Sequence, residues 1–339
     1  MVNATHTRFV ASDRSYYSII KKEAHGIALA AGFDIKRIAE MDIVVAEMTS
    51  NLYKYADDGG EILIGHFNDQ QEEYLEIICI DNGPGIADAN RMMADGFSTT
   101  NTLGHGLGSI KRLSDNFDIY SQKGWGTIML SRIYKTSPKR KDKKAVTLNA
   151  VVIAKPGETE SGDGCYLKRS ENVLKFIVAD GLGHGHEANV AVNEAVNSFK
   201  ICPYDSPCDI IRYLHQDVRK TRGLVATIGV IDIEKGLTKI AGVGNISARL
   251  SGPVLSKAHL SYNGIIGHNI PNTMNDQVLN VSEYNQLVLC SDGMRSRWDV
   301  SKMTGIIRCD PSIQAAALYK DFGRQTDDMS AVIIKIPKQ

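Results

Sequence analysis

Apolar residues recur along this chain with two periods, one typical of helices and one typical of strands. From residue 35 to residue 56 they fall every three or four positions, as on the buried face of a helix. Asp34 precedes this stretch as a candidate N-cap, and Gly32 can end a helix at 12–31. Short apolar runs bounded by turn residues indicate strands. The first half predicts helices at 12–31, 35–56 and 106–114 and strands at 61–67, 74–80, 117–121 and 126–133.

The second half contains more strand-like runs and fewer helical patterns. The strand-like runs lie at 146–154, 173–179, 224–233, 237–243, 286–290 and 329–336. The helical patterns lie at 187–200, 207–221 and 311–322. No segment recurs at a fixed period, and the order of elements differs between the halves. The pattern therefore predicts an α/β (α+β) protein whose two halves have different folds.

A basic stretch separates the halves. Residues 135–144, "KTSPKRKDKK", contain a proline and no apolar side chain. Such a stretch is typical of a solvated linker, although a docking patch for an acidic partner has the same composition. At about 100–200 residues per domain, the chain length agrees with two domains. We place the first domain at 1–136, the linker at 137–145 and the second domain at 146–339.

The composition is that of an ordinary soluble globular protein. Of the 339 residues 43% are hydrophobic, and the formal net charge is zero, which argues against a general nucleic-acid binder. No apolar run reaches the roughly 18 residues of a membrane helix, and the N-terminus lacks the features of a signal peptide. The six cysteines form no Cys-x-x-Cys pair, which favours reduced thiols. We expect a cytoplasmic protein that binds neither nucleic acid nor membrane.

Three polar residues share one face of the helix at 35–56. Glu47, Asn51 and Lys54 are separated by four and three positions, which aligns their side chains. A carboxylate, an amide and an ammonium group in this arrangement can act as a base, a metal ligand and a phosphate contact. A solvated polar face has the same pattern, so these residues alone leave both interpretations open.

The segment "CIDNGPGI" places a carboxylate at the end of a predicted strand. Asp81 follows the apolar run 74–80, and Gly83 and Gly85 come directly after it. A carboxylate here can accept a hydrogen bond from the exocyclic amine of a purine, and the glycines allow the backbone to approach a flat ring. Asn-Gly and Pro-Gly are also strong turn signals, so a plain β-turn is the alternative.

A glycine-rich loop precedes the predicted helix at 106–114. Gly104, Gly106 and Gly108 can present backbone N–H groups, together with the helix N-terminus, to a phosphate. The spacing is neither the dinucleotide-binding G-x-G-x-x-G, because residue 109 is serine, nor a P-loop. The two commonest nucleotide motifs are therefore poor fits to this loop.

In their order and spacing, the three segments resemble the Bergerat-type ATP-binding fold of gyrase, Hsp90 chaperones, histidine kinases and MutL. The likeness covers about residues 10–134 and is nearest to the serine kinases of bacterial partner-switching modules, the anti-sigma-factor and RsbT-like kinases. It implies an α/β sandwich that binds ATP and Mg²⁺ and phosphorylates a Ser or Thr of a partner. In that family the partner is a STAS-domain protein of the anti-anti-sigma or stressosome type.

The resemblance also implies a role for each matched residue. Glu47 would be the base that activates a nucleophile, Asn51 would bind Mg²⁺ and Lys54 would contact phosphate. Asp81 would bind the adenine amine, and residues 87–103 would form the ATP lid. The remaining implied nucleotide contacts are Gly83, Gly85, Ile86, Gly104, His105, Gly106, Leu107, Gly108 and Thr127.

Acidic residues lie at four predicted strand ends in the second half. Asp180 and Asp292 each end an apolar strand and precede glycine. Asp163 also precedes glycine, before a short strand, and Asp327–Asp328 stand just before the last strand. A single Asp-Gly is more typical of a turn, but four such ends favour a common site. Carboxylates without Cys or convergent His ligands suit Mg²⁺ or Mn²⁺, and two such ions can hold a hydroxide and clamp a phosphate.

These segments resemble the type-2C metal-dependent Ser/Thr phosphatases, nearest to their SpoIIE/RsbX-like branch, over about residues 146–337. The resemblance implies a β-sandwich flanked by helices, with two Mg²⁺ or Mn²⁺ at one end and Asp180 bridging them. The implied catalytic and metal-binding residues are Asp163, Asp180, Gly181, Asp292 and Asp327, with Asp328 as the alternative to Asp327. The larger enzymes of the family carry an upstream Arg that grips phosphate, whereas this chain has Lys155 and Glu158 there.

Together the two resemblances imply a bifunctional regulator, a serine kinase and a serine phosphatase in one chain. The tetrapeptide Leu-Gly-His-Gly, at 103–106 and again at 182–185, then belongs to two unrelated sites. An alternative stays open at this point. The first domain could bind ATP or ADP only to gate the phosphatase, without transferring a phosphoryl group.

Overall fold

The structure, a computed structural model, divides into two units. The residues it describes are 5–11, 15–56, 59–69, 72–86, 103–136, 146–251, 256–299 and 303–336. The N-terminal unit comprises His6–Lys141 and Asp299–Lys320. The C-terminal unit comprises Met1–Thr5, Asp142–Trp298 and Asp321–Gln339. None of the helices in the described part of the chain is long and apolar enough to cross a membrane.

The N-terminal unit contains one antiparallel sheet of five strands in the order β1-β2-β3-β5-β4. These strands are β1 (Thr7–Ala11), β2 (Gly60–Asp69), β3 (Glu72–Asp81), β4 (Asn116–Gln122) and β5 (Gly126–Tyr134). Its first three helices are α1 (Ser15–Ala30), α2 (Ile35–Tyr55) and α3 (Leu103–Leu113). Asp34 caps α2, since its carboxylate accepts a hydrogen bond from the Arg37 N–H at 2.9 Å.

The core of this unit lies between one face of the sheet and the three helices. Leu75, Ile77 and Cys79 alternate along β3 and point into it. The apolar stripe of α2 meets them, with Met41 and Met48 fully buried. The period of two on the strand and of three to four on the helix thus direct both elements to one core.

The C-terminal unit is a sandwich of two sheets, in the orders β13-β10-β9-β8-β7 and β12-β11-β14-β15-β6. The strands are β6 (Thr147–Ile153), β7 (Asp163–Arg169), β8 (Val173–Gly181), β9 (Leu224–Asp232), β10 (Leu237–Val243), β11 (Ser247–Ser251), β12 (Ser256–His259), β13 (Gln277–Asn280), β14 (Gln286–Cys290) and β15 (Met329–Lys335). One core lies between the sheets. A second lies between the first sheet and the helices α4 (His186–Ile201) and α5 (Pro207–Asp217).

A sixth helix, α6 (Pro311–Phe322), connects the two units along the chain. Residues 311–320 belong to the N-terminal unit, and the helix enters the C-terminal unit at Asp321. The predicted division placed 299–320 in the second domain, and the structure corrects this. A division in chain order cannot detect a helix that packs with an earlier part of the chain. The predicted linker, 137–145, lies outside the described residues.

The helices and strands predicted from periodicity are confirmed, with one boundary corrected. Helix α3 begins at Leu103, so Gly104, Gly106 and Gly108 lie in its first turns and not in a loop before it. The glycines lower helix propensity, but packing outweighs this because Leu107 and Ile110 are buried in the core. The strands missed by the prediction, β1 and β11–β13, have four or five residues each, too few to display a period.

Candidate functional sites

A cavity of about 240 Å³ lies in the N-terminal unit at the end of β3. Its lining residues are Asn51, Tyr55, Asp81, Pro84, Gly85, Ile86, Leu107, Thr127 and Met129. These residues are far apart in the sequence, and they come from α2, α3, β5 and the segment after β3. Among them, the residues predicted to contact a nucleotide are Asn51, Asp81, Gly85, Ile86, Leu107 and Thr127.

Asp81 is held at the cavity by backbone hydrogen bonds. Its Oδ1 atom accepts from the N–H of Gly83 at 2.8 Å and from the N–H of Thr127 at 3.0 Å. Burial raises the pKa of Asp81, and these two hydrogen bonds act in the opposite direction. Both bonds end on Oδ1 and fix the orientation of the carboxylate. Such a carboxylate in a mostly apolar cavity is suited to accept from an amine of a flat ligand.

The glycines after Asp81 serve contacts within the protein. An ideal Cβ at Gly83 would lie 2.4 Å from the Tyr55 carbonyl oxygen. At Gly85, where φ is +72°, it would lie 2.1 Å from the Gln122 carbonyl oxygen. Either position therefore excludes a side chain. Gly85 also lines the cavity, and the prediction that these glycines let the backbone approach a flat ring stays a prediction.

Gly106 brings helix α3 against the polar face of α2. A Cβ at Gly106 would lie 2.9 Å from the Glu47 Oε2 atom and 3.7 Å from the Asn51 Oδ1 atom. The predicted base and the predicted Mg²⁺ ligand therefore stand together beside the first turns of α3. The first four N–H groups of a helix have no partner within it, so this N-terminus is suited to an anion. The side chain of His105 lies outside the described part of the structure.

Lys54 is not among the residues that line the Asp81 cavity. It lines a separate groove of about 370 Å³ together with Tyr17, Ser18 and Lys21 of α1. Helical spacing places Lys54 one turn beyond Asn51, but the groove to which it points depends on how α1 packs. Its predicted phosphate contact stays a prediction. The predicted ATP lid falls almost entirely on residues 87–102, which the structure does not describe.

The acidic residues of the C-terminal unit meet at one end of the sandwich. Asp163 and Asp180 are direct partners across β7 and β8 in one sheet. Asp292 follows β14 and Asp328 precedes β15, and these two strands pair in the other sheet. Hydrogen bonds join the two pairs: the Ser291 hydroxyl donates to Asp163 Oδ2 at 2.6 Å. The Gly162 N–H also donates to Asp328 Oδ2 at 2.8 Å.

The electrostatics of this end fit a divalent cation. Burial and the neighbouring carboxylates raise the pKa of Asp163 to about 7 and that of Asp180 to about 10. The Oδ1 atom of Asp163 is buried without a hydrogen-bond partner. Within the described ranges, no three His, Cys, Asp or Glu side chains already converge as a metal site. The fold therefore brings the carboxylates to one end of the sandwich, and the charge of a bound cation would draw their oxygen atoms together.

The carboxylate of Asp328 accepts more backbone hydrogen bonds than that of Asp327. Its Oδ1 accepts from the Lys155 N–H and its Oδ2 from the Gly162 N–H, both at 2.8 Å. These bonds tie the loop before β7 to the start of β15. The Asp327 Oδ1 atom accepts from the Asp328 N–H at 2.9 Å. Asp328 therefore holds the loop, and the choice of Asp327 over Asp328 as the metal ligand stays a prediction.

Two glycines next to the aspartates are required by close backbone contacts. A Cβ at Gly293 would lie 1.9 Å from the Asp328 carbonyl oxygen, and one at Gly181 would lie 2.4 Å from the Ala188 carbonyl oxygen. The Asp-Gly pairs therefore reflect packing at the acidic end as well as turns. Gly181 was predicted as a metal ligand through its carbonyl group, and that role stays a prediction.

Sequence reasoning missed three residues at this end. Ser291 orients Asp163, and the Asn245 amide donates to Asp292 Oδ2 at 2.8 Å. Arg222 pairs with Glu187 and lies against Gly183, where a Cβ would be 2.9 Å from its Nη1 atom. Ser291 could have been suspected from its place before Asp292. Asn245 and Arg222 carry no local signal, because only the fold brings their loops to the aspartates.

We expect Ser291→Ala to weaken metal binding about 10- to 100-fold, the usual effect of removing a partner that orients a ligand. The change deletes the hydroxyl that donates to Asp163 and accepts from the Ser330 N–H at 3.0 Å. Titration with Mn²⁺, followed by calorimetry, measures the affinity. Ser247→Ala is the matched control, since that hydroxyl contacts Cys290 and Trp298. Equal Mn²⁺ affinity for both variants would refute the positioning role of Ser291.

Each of the two units is similar to known proteins. The histidine kinase-like ATPase domain family matches residues 10–131. The serine/threonine-protein kinase RsbT of Bacillus subtilis (strain 168) is 41% identical over 101 residues, which are 30% of this chain and 75% of RsbT. The phosphoserine phosphatase RsbX of the same organism is 30% identical over 104 residues, which are 30% of this chain. The chain spans about half of RsbX, 51% of its length.

Two solved structures share the fold of part of the chain. One, described as "The bacterial stressosome: a modular system that has been adapted to control secondary messenger signaling", has a TM-score of 0.52 and 27% identity. The match covers 56% of the present chain and 100% of the chain in that structure. The crystal structure of RsbX in complex with magnesium has a TM-score of 0.50 and 20% identity, and covers 59% of this chain and 99% of that one. The chain thus joins an ATPase-like unit to a sandwich that shares the fold of RsbX.

Proposed function

This chain belongs to the family of the serine/threonine kinase RsbT, and we propose that its N-terminal unit transfers the γ-phosphoryl group of ATP to a Ser or Thr of a partner protein. Asp81 would bind the adenine amine in the cavity at the end of β3. Asn51 would hold Mg²⁺, and Glu47 would accept the proton of the attacking hydroxyl. The N-terminus of α3 would bind the phosphates. Phosphoryl transfer depends chiefly on position and charge neutralisation, which these groups supply.

We propose that the C-terminal unit removes phosphate from phosphoserine or phosphothreonine. Asp163, Asp180, Asp292 and Asp327 would hold two Mg²⁺ or Mn²⁺ ions, which would activate a water molecule and clamp the phosphate. The observation that carries this proposal is the meeting of these aspartates at one end of the two sheets. We propose that Arg222 binds the phosphate of the substrate, because it lies beside the loop that follows Asp180.

We propose STAS-domain proteins as the substrates of both units. RsbT is a relative of the N-terminal unit, and a solved structure whose description concerns the bacterial stressosome shares the fold of part of the chain. We also place the protein in the cytoplasm, a proposal supported by six cysteines that are all free, five of them buried. Opposing activities on one unregulated serine would only hydrolyse ATP. We therefore expect distinct phosphorylation sites or reciprocal control.

Intact mass spectrometry of a STAS-domain partner tests this function. The partner is incubated with Mg-ATP and the Asp180→Asn variant, so that the phosphatase cannot remove the product. A partner heavier by one phosphate establishes the kinase. If wild type with Mn²⁺ then removes that phosphate, the two units share a substrate. An unchanged mass, in a sample that binds ATP, would refute transfer to this partner.

One observation favours a second candidate function, in which nucleotide binding gates the phosphatase. Helix α6 begins in the N-terminal unit, and the chain continues from it to Asp327. Beyond its end, the Arg324 N–H donates to the Gly293 carbonyl oxygen at 2.9 Å, next to Asp292. Glu47→Ala separates the two candidates. It should abolish transfer if the unit is a kinase, and leave an effect of ATP on phosphatase rate intact if the unit only gates.

A further inference from the structure

Helix α6 packs on the face of the N-terminal sheet opposite α1–α3. Leu75 and Ile77 of β3 point to the core beneath those helices, so Glu76 points to the other face. There the Ser312 hydroxyl donates to Glu76 Oε2 at 2.9 Å. Ile78, also on this face, is fully buried. A segment from late in the chain therefore completes the covering of the nucleotide-binding sheet.

A buried ionic network anchors the start of the helix. The Arg132 guanidinium donates to Glu76 at 2.6 Å and forms two bonds of 2.7 Å to the carboxylate of Asp310. Arg132 and Glu76 are almost entirely buried. The Asp310 N–H also donates to Asp118 of β4 at 2.6 Å. A bidentate pair fixes direction as well as distance, and here its guanidinium is buried while Asp310 is partly exposed. The start of α6 therefore has a defined position on the sheet.

The other end of the helix meets the turn between β4 and β5. The Tyr319 hydroxyl donates to Glu61 of β2 at 2.7 Å. The Lys320 ammonium donates to the Trp125 carbonyl oxygen at 2.8 Å and lies 4.2 Å from the centre of the Trp125 ring. A hydrogen bond and a cation–π contact from one ammonium group hold both the backbone and the side chain of Trp125.

Trp125 is two residues from the hydrogen bond that orients Asp81. The intervening Gly126 has φ +117°, and a Cβ there would lie 2.1 Å from the Asp81 carbonyl oxygen. Thr127, next along the chain, donates its N–H to the Asp81 carboxylate and lines the cavity. This backbone leaves little freedom between Trp125 and Asp81. A shift of the Trp125 carbonyl group would therefore move the Thr127 N–H.

We infer that Lys320 is a positioning residue of the nucleotide site, acting through Trp125 and Thr127 on the Asp81 carboxylate. The inference rests on the proposed nucleotide site at Asp81. It adds that ATP affinity depends on a residue encoded in the second half of the chain. The electrostatics agree: burial is the main influence and raises the pKa of Asp81, and the Lys320 charge favours the ionised carboxylate.

The test measures Mg-ATP affinity of the full chain by calorimetry, for wild type and Lys320→Met. We expect the affinity to fall about tenfold, the size typical of losing an outer partner of a binding group. Because Asp81 would read the adenine amine, the preference for ATP over GTP should also fall. Lys320→Arg keeps a donor and a cation, and should restore most of both. Lys123→Met removes an exposed lysine from the same turn and should change neither.

Each outcome decides the inference. Unchanged ATP affinity and selectivity in a folded Lys320→Met protein would overturn it, as would an equal loss with Lys123→Met. If Lys320→Met fails to fold, full ATP affinity in a folded Lys320→Ala protein, which lacks both the donor and the cation, would overturn it instead. If wild type itself binds no ATP, the proposed nucleotide site fails and the inference falls with it. Wild-type binding with an unchanged variant affects the inference alone.

Discussion

Asp180→Asn should abolish phosphatase turnover while leaving the nucleotide site intact. The substitution keeps the shape of the side chain but removes the charge expected to hold the metal ions. A bound metal supplies several kcal/mol of transition-state stabilisation, so we expect a fall of about 100-fold or more in kcat/KM. Release of phosphate from a phosphoserine peptide with Mn²⁺ measures the change. ATP affinity, measured in parallel, should equal that of wild type.

Asp232→Asn is the matched control. Asp232 ends β9 opposite Val173, at the far end of the sheet from Asp180, and pairs with Lys235. Its removal should leave kcat/KM unchanged. Comparable losses in the two variants would show that the sheet and not the acidic site had been damaged. Full activity of Asp180→Asn would remove Asp180 from the proposed metal site.

Asp180→Asn should also change how the stability of the metal-free protein depends on pH. Burial, the larger cause, and the neighbouring carboxylates raise the pKa of folded Asp180 from 3.8 to about 10. The folded state therefore binds more protons than the unfolded state between these values, and wild-type stability falls as pH rises. In chelator, Asp180→Asn should melt above wild type at about pH 8, and the difference should shrink towards about pH 4. A wild type that melts higher than Asp180→Asn at the upper pH would contradict the raised pKa of Asp180.

Glu47→Gln should remove phosphoryl transfer and spare ATP binding. Glutamine preserves the size of the side chain beside Gly106 but cannot accept the proton of an attacking hydroxyl. General bases contribute about 10²–10⁴-fold, so transfer to the partner should fall by that factor. Intact mass of the partner over time, in an Asp180→Asn background, measures the rate.

Glu40→Gln provides the matched control on the same helix. Glu40 pairs with Arg37 at 2.7 Å and, unlike Glu47, is not among the groups nearest Gly106. It should leave transfer unchanged. Undiminished transfer by Glu47→Gln would show that another group, or the substrate itself, removes the proton.

Local pattern predicted most of the secondary structure because each long element has its own period. Helix α2 displays an apolar stripe, a capping Asp34 and a defined end, so its bounds follow from neighbouring residues. The strands around Asp81 and Asp180 are continuous apolar runs that end in acidic residues. Short strands such as β12 and β13 were missed, because four residues are too few to display a period. The partner of β13, strand β10, is also distant in the chain.

The candidate sites were predictable where acidic residues stand at the ends of predicted strands. Asp81 and the four acidic positions of the second half were found in this way. Glu47 and Asn51 were found from helical spacing, which aligned them before their surroundings were known. The placement of Lys54 in another groove was not predictable. Residues on one helical face can contact different neighbouring elements, and the packing of those elements decides which groove each residue lines.

The sequence by itself determined two different folds, an acidic end on one and a polar helix face on the other, because these features depend on residues close in the chain. Only the tertiary structure joined Ser291 to Asp163, and gave Asp328 two backbone donors. Only the tertiary structure placed α6 and Lys320 in the N-terminal unit. Such contacts join residues 100 or more positions apart, and they form only where packing of whole elements brings the loops together.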